Sequence, residues 1–289
     1  MSLSIHNYKI LEKINNGAFG EIYLGRNKRT QELVVIKTEI HHQSTIQHET
    51  KMLQYLATAK VNSIPLVYLY CVSSFVDYTQ PPRPLLILPY YKQSLTHYLK
   101  QHPKKTVIDK IMHSMLKIFE QIHKQYVVHR DIKPQNFMMN DKDEVVLIDF
   151  GLSTFFVDEN ANLFPNEASQ SMIGTPKFTS IYVHLGNKYT VRDDMISLGY
   201  LYVWMLHGGY CPWDPMSNTS GNIHPSTYEK IHIHHEYNKA LLQNKDLSQY
   251  IRMCQLKKED AIVQYLQHVY FLEYEERPDH VYLQPLFCM

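Results

Sequence analysis

The rhythm of apolar and polar positions changes near residue 89. From Tyr8 to Leu88 the apolar residues fall in short segments separated by turn signals: YKILEKI, EIYLG, LVVIK, VYLYCVSSF and PLLILP. Runs of this length predict strands of an antiparallel sheet. One segment breaks the pattern. In STIQHETKMLQYLATA, Ile46, Met52, Leu53 and Leu56 recur at helical spacing and Glu49 falls on the same stripe, so the helix predicted there buries a carboxylate that needs a partner. After Pro89, VIDKIMHSMLKIFEQIHKQ sets Ile108, Ile111, Met112, Met115, Ile118, Phe119 and Ile122 on one helical face. DMISLGYLYVWMLHGG is apolar nearly all round, as suits a helix enclosed at the centre of a lobe. The prediction is an α+β fold with two lobes: a small antiparallel-sheet N-lobe with one helix (1–88), a connection at 89–92, and a larger, mainly helical C-lobe (93–289). Ligands favour a crevice between such lobes. QPPRP at 80–84 and DPMSNTSGNIHPST at 214–227 read as loops, and neither a repeat nor a low-complexity tract is evident.

Composition narrows the class. With 289 residues, 44% hydrophobic and 20% charged, the chain suits a globular protein with a sizeable core and argues against disorder. No apolar run approaches a spanning helix, and MSLSIHNYKI lacks the basic and apolar regions of a signal peptide. A cytoplasmic or nuclear monomer without membrane contact is therefore expected. Lys plus Arg total 29 against 28 acidic residues, which argues against direct nucleic-acid binding while leaving room for a local basic patch. Cys71, Cys211, Cys254 and Cys288 lie far apart with no CxxC pair, so reduced, structural thiols are expected. HIHH at 232–235 lies in a polar, helix-like stretch and reads as a solvated surface, with metal binding the alternative.

Four segments bear on chemistry. In INNGAFGEIYL, Gly17 and Gly20 would let a hairpin bring backbone N–H groups close to phosphate oxygens, with Phe19 at its tip; an ordinary glycine turn is the other reading. Lys37 ends the apolar run LVVI twelve positions before Glu49. The two can neutralise each other, either as a structural salt bridge or as a phosphate-holding lysine oriented by the glutamate. YVVHRDIKPQNFMM packs His129, Arg130, Asp131, Lys133 and Asn136 between two apolar runs, and VVLIDFGL sends an apolar strand into Asp149. Either of these last two alone could be a polar surface loop. Their order and spacing together argue otherwise.

These segments make the chain resemble a protein kinase, from about Tyr8 to Phe287. NNGAFG is similar to the glycine-rich loop, with Asn15 replacing the first glycine; asparagine tolerates left-handed backbone better than most residues. VVIK resembles the strand bearing the phosphate lysine, HRDIKPQN the catalytic loop and DFG the metal-binding turn. The resemblance implies the cofactors ATP and Mg²⁺. It implies that Asp131 accepts the proton of the attacking hydroxyl, Lys133 offsets charge on the phosphoryl group, Lys37 paired with Glu49 holds phosphates, and Asn136 and Asp149 hold the metal. It makes Leu88 the gatekeeper and Pro89 to Tyr91 the hinge, with the Pro89 carbonyl and the Tyr91 N–H facing adenine. Ile22, Val35, Met138 and Ile148 would sandwich the base, Val35 standing where the family usually has alanine.

GTPKFTSIYVHLG lacks the usual Ala-Pro-Glu sequence and, with RDDMISLGY, PW at 212–213 and the tail VQYLQHVYFLEYEERPDHVYLQPLF, resembles the casein kinase 1 family. The vaccinia-related kinases, with a similar FTSI segment, are the runner-up. The resemblance implies a serine/threonine kinase acting on protein substrates, with an acidic or primed preference in which Lys177 holds the substrate anion. Gln170 stands where a second basic residue is usual, and Lys230 or Lys239 is a candidate third. Activity without phosphorylation of the activation segment is expected, although Arg130 has Ser153, Thr154, Ser169 and Ser171 as possible phosphorylated partners. The regulatory extension common after the domain in these relatives is not expected. Two rivals are a pseudokinase scaffold, disfavoured by the presence of Lys37, Glu49, Asp131, Asn136 and Asp149, and a small-molecule kinase of aminoglycoside type, disfavoured by the long segment from Asp149 to Gly186.

Overall fold

The computed structural model describes residues 4–16, 20–39, 45–73, 82–167, 172–213 and 247–288. Along the chain run strands β1 (Ser4–Ile5), β2 (Tyr8–Asn16), β3 (Gly20–Asn27) and β4 (Leu33–Glu39), helix α1 (Thr45–Thr58), and strands β5 (Leu69–Ser73), β6 (Arg83–Pro89) and β7 (Gln93–Ser94). Next come α2 (Leu95–Gln101), α3 (Lys105–Lys124), β8 (Val127–Val128), β9 (Phe137–Met139), β10 (Val145–Leu147) and β11 (Thr154–Phe155). The further α-helices among the described residues are α4 (Ile181–His184), α5 (Val191–Leu206), α6 (Ser248–Met253), α7 (Ala261–Tyr270) and α8 (His280–Leu283). They form two compact units, Met1–Gln93 with Met138–Ser153, and Ser94–Phe137 with Thr154–Met289.

The first unit is built on an antiparallel sheet ordered β1-β2-β3-β4-β6-β5. Side chains alternate across a pleated strand, so each face takes every second residue. One face closes over Ile5, Tyr23, Val34, Ile36, Leu85 and Ile87. Register places Ile22 opposite Lys37 and Lys37 opposite Leu86, and likewise Leu24, Val35 and Leu88 in a row. Lys37 therefore shares the other face with an apolar stripe. The predicted helix is α1, and it buries Ile46, Glu49, Thr50, Met52, Leu53 and Leu56. At its start the Glu39 carboxylate accepts the Ile46 N–H at 2.6 Å, so the preceding strand supplies the group that satisfies a helix N-terminal donor. At its end Lys60 is left-handed with φ 58°, and the Val61 N–H returns to the Leu56 carbonyl.

In the second unit the predicted stripe of α3 is buried from Ile108 to Ile122. Helix α5 is buried on every side, as its unbroken apolar pattern requires. Thr190 and Asp193 cap it reciprocally, each side chain accepting the other's backbone N–H. Helices α5 and α7 meet closely: a Cβ on Gly199 would lie 2.6 Å from a Leu266 methyl. Among the described residues, no helix is long and apolar enough to cross a membrane. Gly17, Phe19, Ser169, Gln170, Ser171, Lys230, the HIHH run and Lys239 lie outside the described residues.

Candidate functional site

In the first unit Lys37 meets its predicted partner. Its Nζ lies 2.7 and 2.9 Å from the two Glu49 oxygens and 3.6 Å from Asp149 Oδ1. Strand β4 delivers the amine and α1 the carboxylate, whose side chain is only 3% exposed. Burial alone would favour the neutral amine, but Asp149 and Glu49 outweigh it and hold the Lys37 pKa above its ordinary value. Burial also pushes Glu49 up, against the pull of Lys37 and of the Phe150 backbone N–H that bonds to it. Asp149, half in solvent at 43%, has φ 67°. A left-handed conformation in a residue with a Cβ costs about 1–3 kcal/mol, so the surrounding contacts hold it there.

The apolar stripe around Lys37 is open to solvent in part. Ile22, Leu24 and Val35 are each half-buried, whereas Leu88 is buried; elsewhere in the same unit Met138 and Ile148 are half-buried as well. Pro89 ends β6 opposite Val34, and Tyr91 follows with its phenol pushed up to about 12 by burial, the nearby Tyr68 adding to the shift. Asn15, exposed, pairs with Ile22 across a β2–β3 ladder that is irregular between Lys13 and Asn15. Gly20 has a steric reason to be glycine. A Cβ there would lie 1.8 Å from the Thr38 carbonyl oxygen.

In the second unit the polar loop between β8 and β9 organises around Asp131, which is 6% exposed. Lys133 Nζ lies 2.7 Å from its Oδ2, the Thr175 hydroxyl donates to its Oδ1 at 2.7 Å, and Asn136 Nδ2 donates to its Oδ2 at 3.1 Å and to its carbonyl at 2.7 Å. Both Asn136 Nδ2 bonds go to acceptors, which fixes the amide nitrogen there, and among the described residues no donor meets the amide oxygen. The loop backbone is held from below by Asp194 of α5. That carboxylate accepts the N–H groups of His129 (2.8 Å) and Arg130 (3.1 Å), the Tyr189 hydroxyl (2.9 Å) and His123 Nε2 (3.0 Å). Burial would raise the Asp194 pKa, yet these donors, His123 foremost, hold it below the ordinary carboxylate value. Arg130 itself has φ 67°. Gly174, at φ 100°, passes so near that a Cβ would lie 2.3 Å from the Arg130 carbonyl oxygen.

The family model for the protein kinase domain matches residues 8–271. The chain belongs to the protein kinase family. Three curated kinases are similar over nearly the whole of it. Casein kinase I homolog 3 of Schizosaccharomyces pombe is 26% identical over 290 residues, covering 97% of this chain and 61% of that protein. Casein kinase I homolog 2 of the same yeast is 27% identical, covering 97% and 62%. A probable casein kinase I homolog of Encephalitozoon cuniculi is 28% identical over 291 residues, covering 98% and 84%. The kinase chain is thus close to the casein kinase 1 family, and it spans about three fifths of the length of the two yeast relatives.

Within this kinase domain Lys177 sits on the tight turn Pro176–Phe178, half-buried, with Nζ 5.8 Å from the Phe178 ring centroid. Its carbonyl accepts the Trp213 indole N–H at 3.2 Å, and the Pro176 carbonyl is bonded by His184 Nε2 at 3.1 Å. Thr175, Asp194, His123 and Gly174 were not legible as site residues in the sequence. For Asp194 a partial signal existed in the RDD run after Thr190, which marks a capped helix start.

Proposed function

We propose that this protein is an ATP-dependent serine/threonine kinase of casein kinase 1 type, acting on protein substrates with acidic or primed sequences. The observation that carries the reading is the set of donors around Asp131. With Thr175, Lys133 and Asn136 bonded to it, the carboxylate has a fixed orientation from which to accept the proton of a substrate hydroxyl. Lys133 beside it would offset charge on the phosphoryl group during transfer. Lys37, kept cationic by Glu49 and Asp149, would hold the nucleotide phosphates.

Asn136 and Asp149 would each offer an oxygen of the kind a hard cation takes. The Asn136 amide oxygen meets no donor among the described residues and the Asp149 carboxylate is partly exposed, both of the type that Mg²⁺ accepts. The ion would supply charge neutralisation at the phosphates. On the first unit, half-buried Ile22 and Val35 on the face that carries Lys37, together with half-buried Met138 and Ile148 and buried Leu88, would meet the faces of an adenine ring. The Pro89 carbonyl and the Tyr91 N–H would take the ring's edge, Asn15 and Gly20 would line the phosphate side, and Lys177 would meet a substrate anion.

Incubation of the pure protein with labelled ATP, Mg²⁺ and a casein-like acidic protein tests the proposal. Label on serine or threonine of the protein substrate is expected. Nucleotide binding without transfer would make the chain a scaffold instead, and label on an aminoglycoside alone would make it a small-molecule kinase.

A further inference from the structure

The turn after Asp149 is gripped by α1 at three places, two of which have no part in the chemistry proposed above. Gly151 packs at the first turn of the helix, where a Cβ would lie 3.1 Å from the Thr45 methyl. Its neighbour Phe150 gives its backbone N–H to Glu49. The third grip is His48, whose Nε2 lies 2.7 Å from the carbonyl oxygen of Ser153. A carbonyl only accepts, so Nε2 carries the proton and donates. The turn is closed on itself by the Ser153 N–H bonding to the Phe150 carbonyl, and Ser153 is fully buried. Fixing its far end therefore fixes the Asp149 end as well.

His48 is exposed, yet it precedes the buried Glu49 on the same helix turn. An exposed imidazole bonded to a backbone oxygen 105 residues away adds little to the core. What the bond joins is the helix turn that carries Glu49 and the far end of the turn that follows Asp149. We infer that His48 is a positioning residue that tethers α1 to the Ser153 backbone and so keeps the Glu49–Lys37 pair in place without a phosphate on the activation segment. The inference rests on the kinase reading of Lys37 and Glu49.

Three forms of the 289-residue chain test it: the parent, His48→Leu, which keeps bulk without a donor, and His48→Gln, whose amide N–H lies at similar reach from Cα. Phosphoryl transfer and hydrogen exchange of α1 and residues 150–153 are measured on each. For His48→Leu we expect kcat/KM for ATP to fall about three- to tenfold, the scale of one lost hydrogen bond, with KM raised and exchange of α1 faster while α5 is unchanged. His48→Gln should restore both readouts. Parental kinetics and exchange in His48→Leu, or a glutamine variant as impaired as the leucine one, would overturn the tether. A parent that transfers no phosphoryl group would overturn the kinase reading, and the exchange comparison would still decide the tether.

Discussion

Asp131 draws its donors from two stretches of chain: Lys133 and Asn136 from its own loop, and Thr175 from a residue 44 positions later. If the carboxylate is the general base, Asp131→Asn should lower kcat by about 10²- to 10⁴-fold with an unchanged melting temperature, since the amide keeps the shape and loses the basicity. Lys37→Met should likewise fold and lose transfer. Thr175→Val should cost on the order of tenfold in kcat, because one oxygen of a still charged group loses its donor. At Lys177 the effect should be shallower. A lysine is a point charge without arginine's fork, so matched peptides carrying phosphoserine, aspartate or alanine upstream of the acceptor should differ modestly, and Lys177→Ala or raised salt should level them. Equal rates for all three peptides in the parent would remove the anion role. The residues of this paragraph differ in how they could be read from sequence. Asp131, Lys133 and Asn136 sit within six positions and form a motif, whereas Asp194 reaches His129 and His123 across 65 and 71 residues, a separation at which no local pattern operates.

Helices and long strands were legible because their apolar spacing is dictated by which face they bury. Every residue the periodicity sets on the stripes of α1 and α3 is buried, Glu49 included, and Thr50, Asp109, Leu116 and His123 are buried besides. Strand β1 was not foreseen, for its two residues are too short to alternate, and the place of β5 at the sheet edge depends on pairing rather than pattern. Two predictions belong at this scale. Leu56→Ala in α1, removing a fully buried side chain, should lower unfolding free energy by about 2–5 kcal/mol in a denaturant titration. The segment between Asp149 and Gly186 should need no modification: enzyme made in bacteria and stripped by phosphatase is expected to label casein, and a silent enzyme rescued by an upstream kinase would reverse that expectation. Thr175 and Gly174, which approach Asp131 and Arg130, belong to this segment, and the bond from Thr175 to Asp131 involves no phosphate.

For the molecule as a whole, acid should be the weak side. Burial, with His123 nearby, lowers the His280 pKa from 6.5 to about 4. Unfolding frees this ring to protonate first, so the stability it contributes is present above pH 6.5 and is lost as pH falls toward 4. Asp194, also depressed, acts in the same direction at lower pH. Melting temperature should therefore drop between these limits, and His280→Phe should flatten the drop if the histidine contributes as stated. The chain also visits its first unit twice, in Met1–Gln93 and again in Met138–Ser153. On a ribosome this sets an order of birth. Lys37 and Glu49 leave the exit tunnel together, but Asp149, the turn that α1 grips and the Leu147 N–H that bonds to Ser63 arrive only after Ser94–Phe137 has been made. At about 5–20 residues per second, the nascent sheet waits a few seconds with α1 lacking part of its packing. Chains stalled after Gln93 should be cut readily within α1 by protease, and resistance should appear only once Ser153 has emerged.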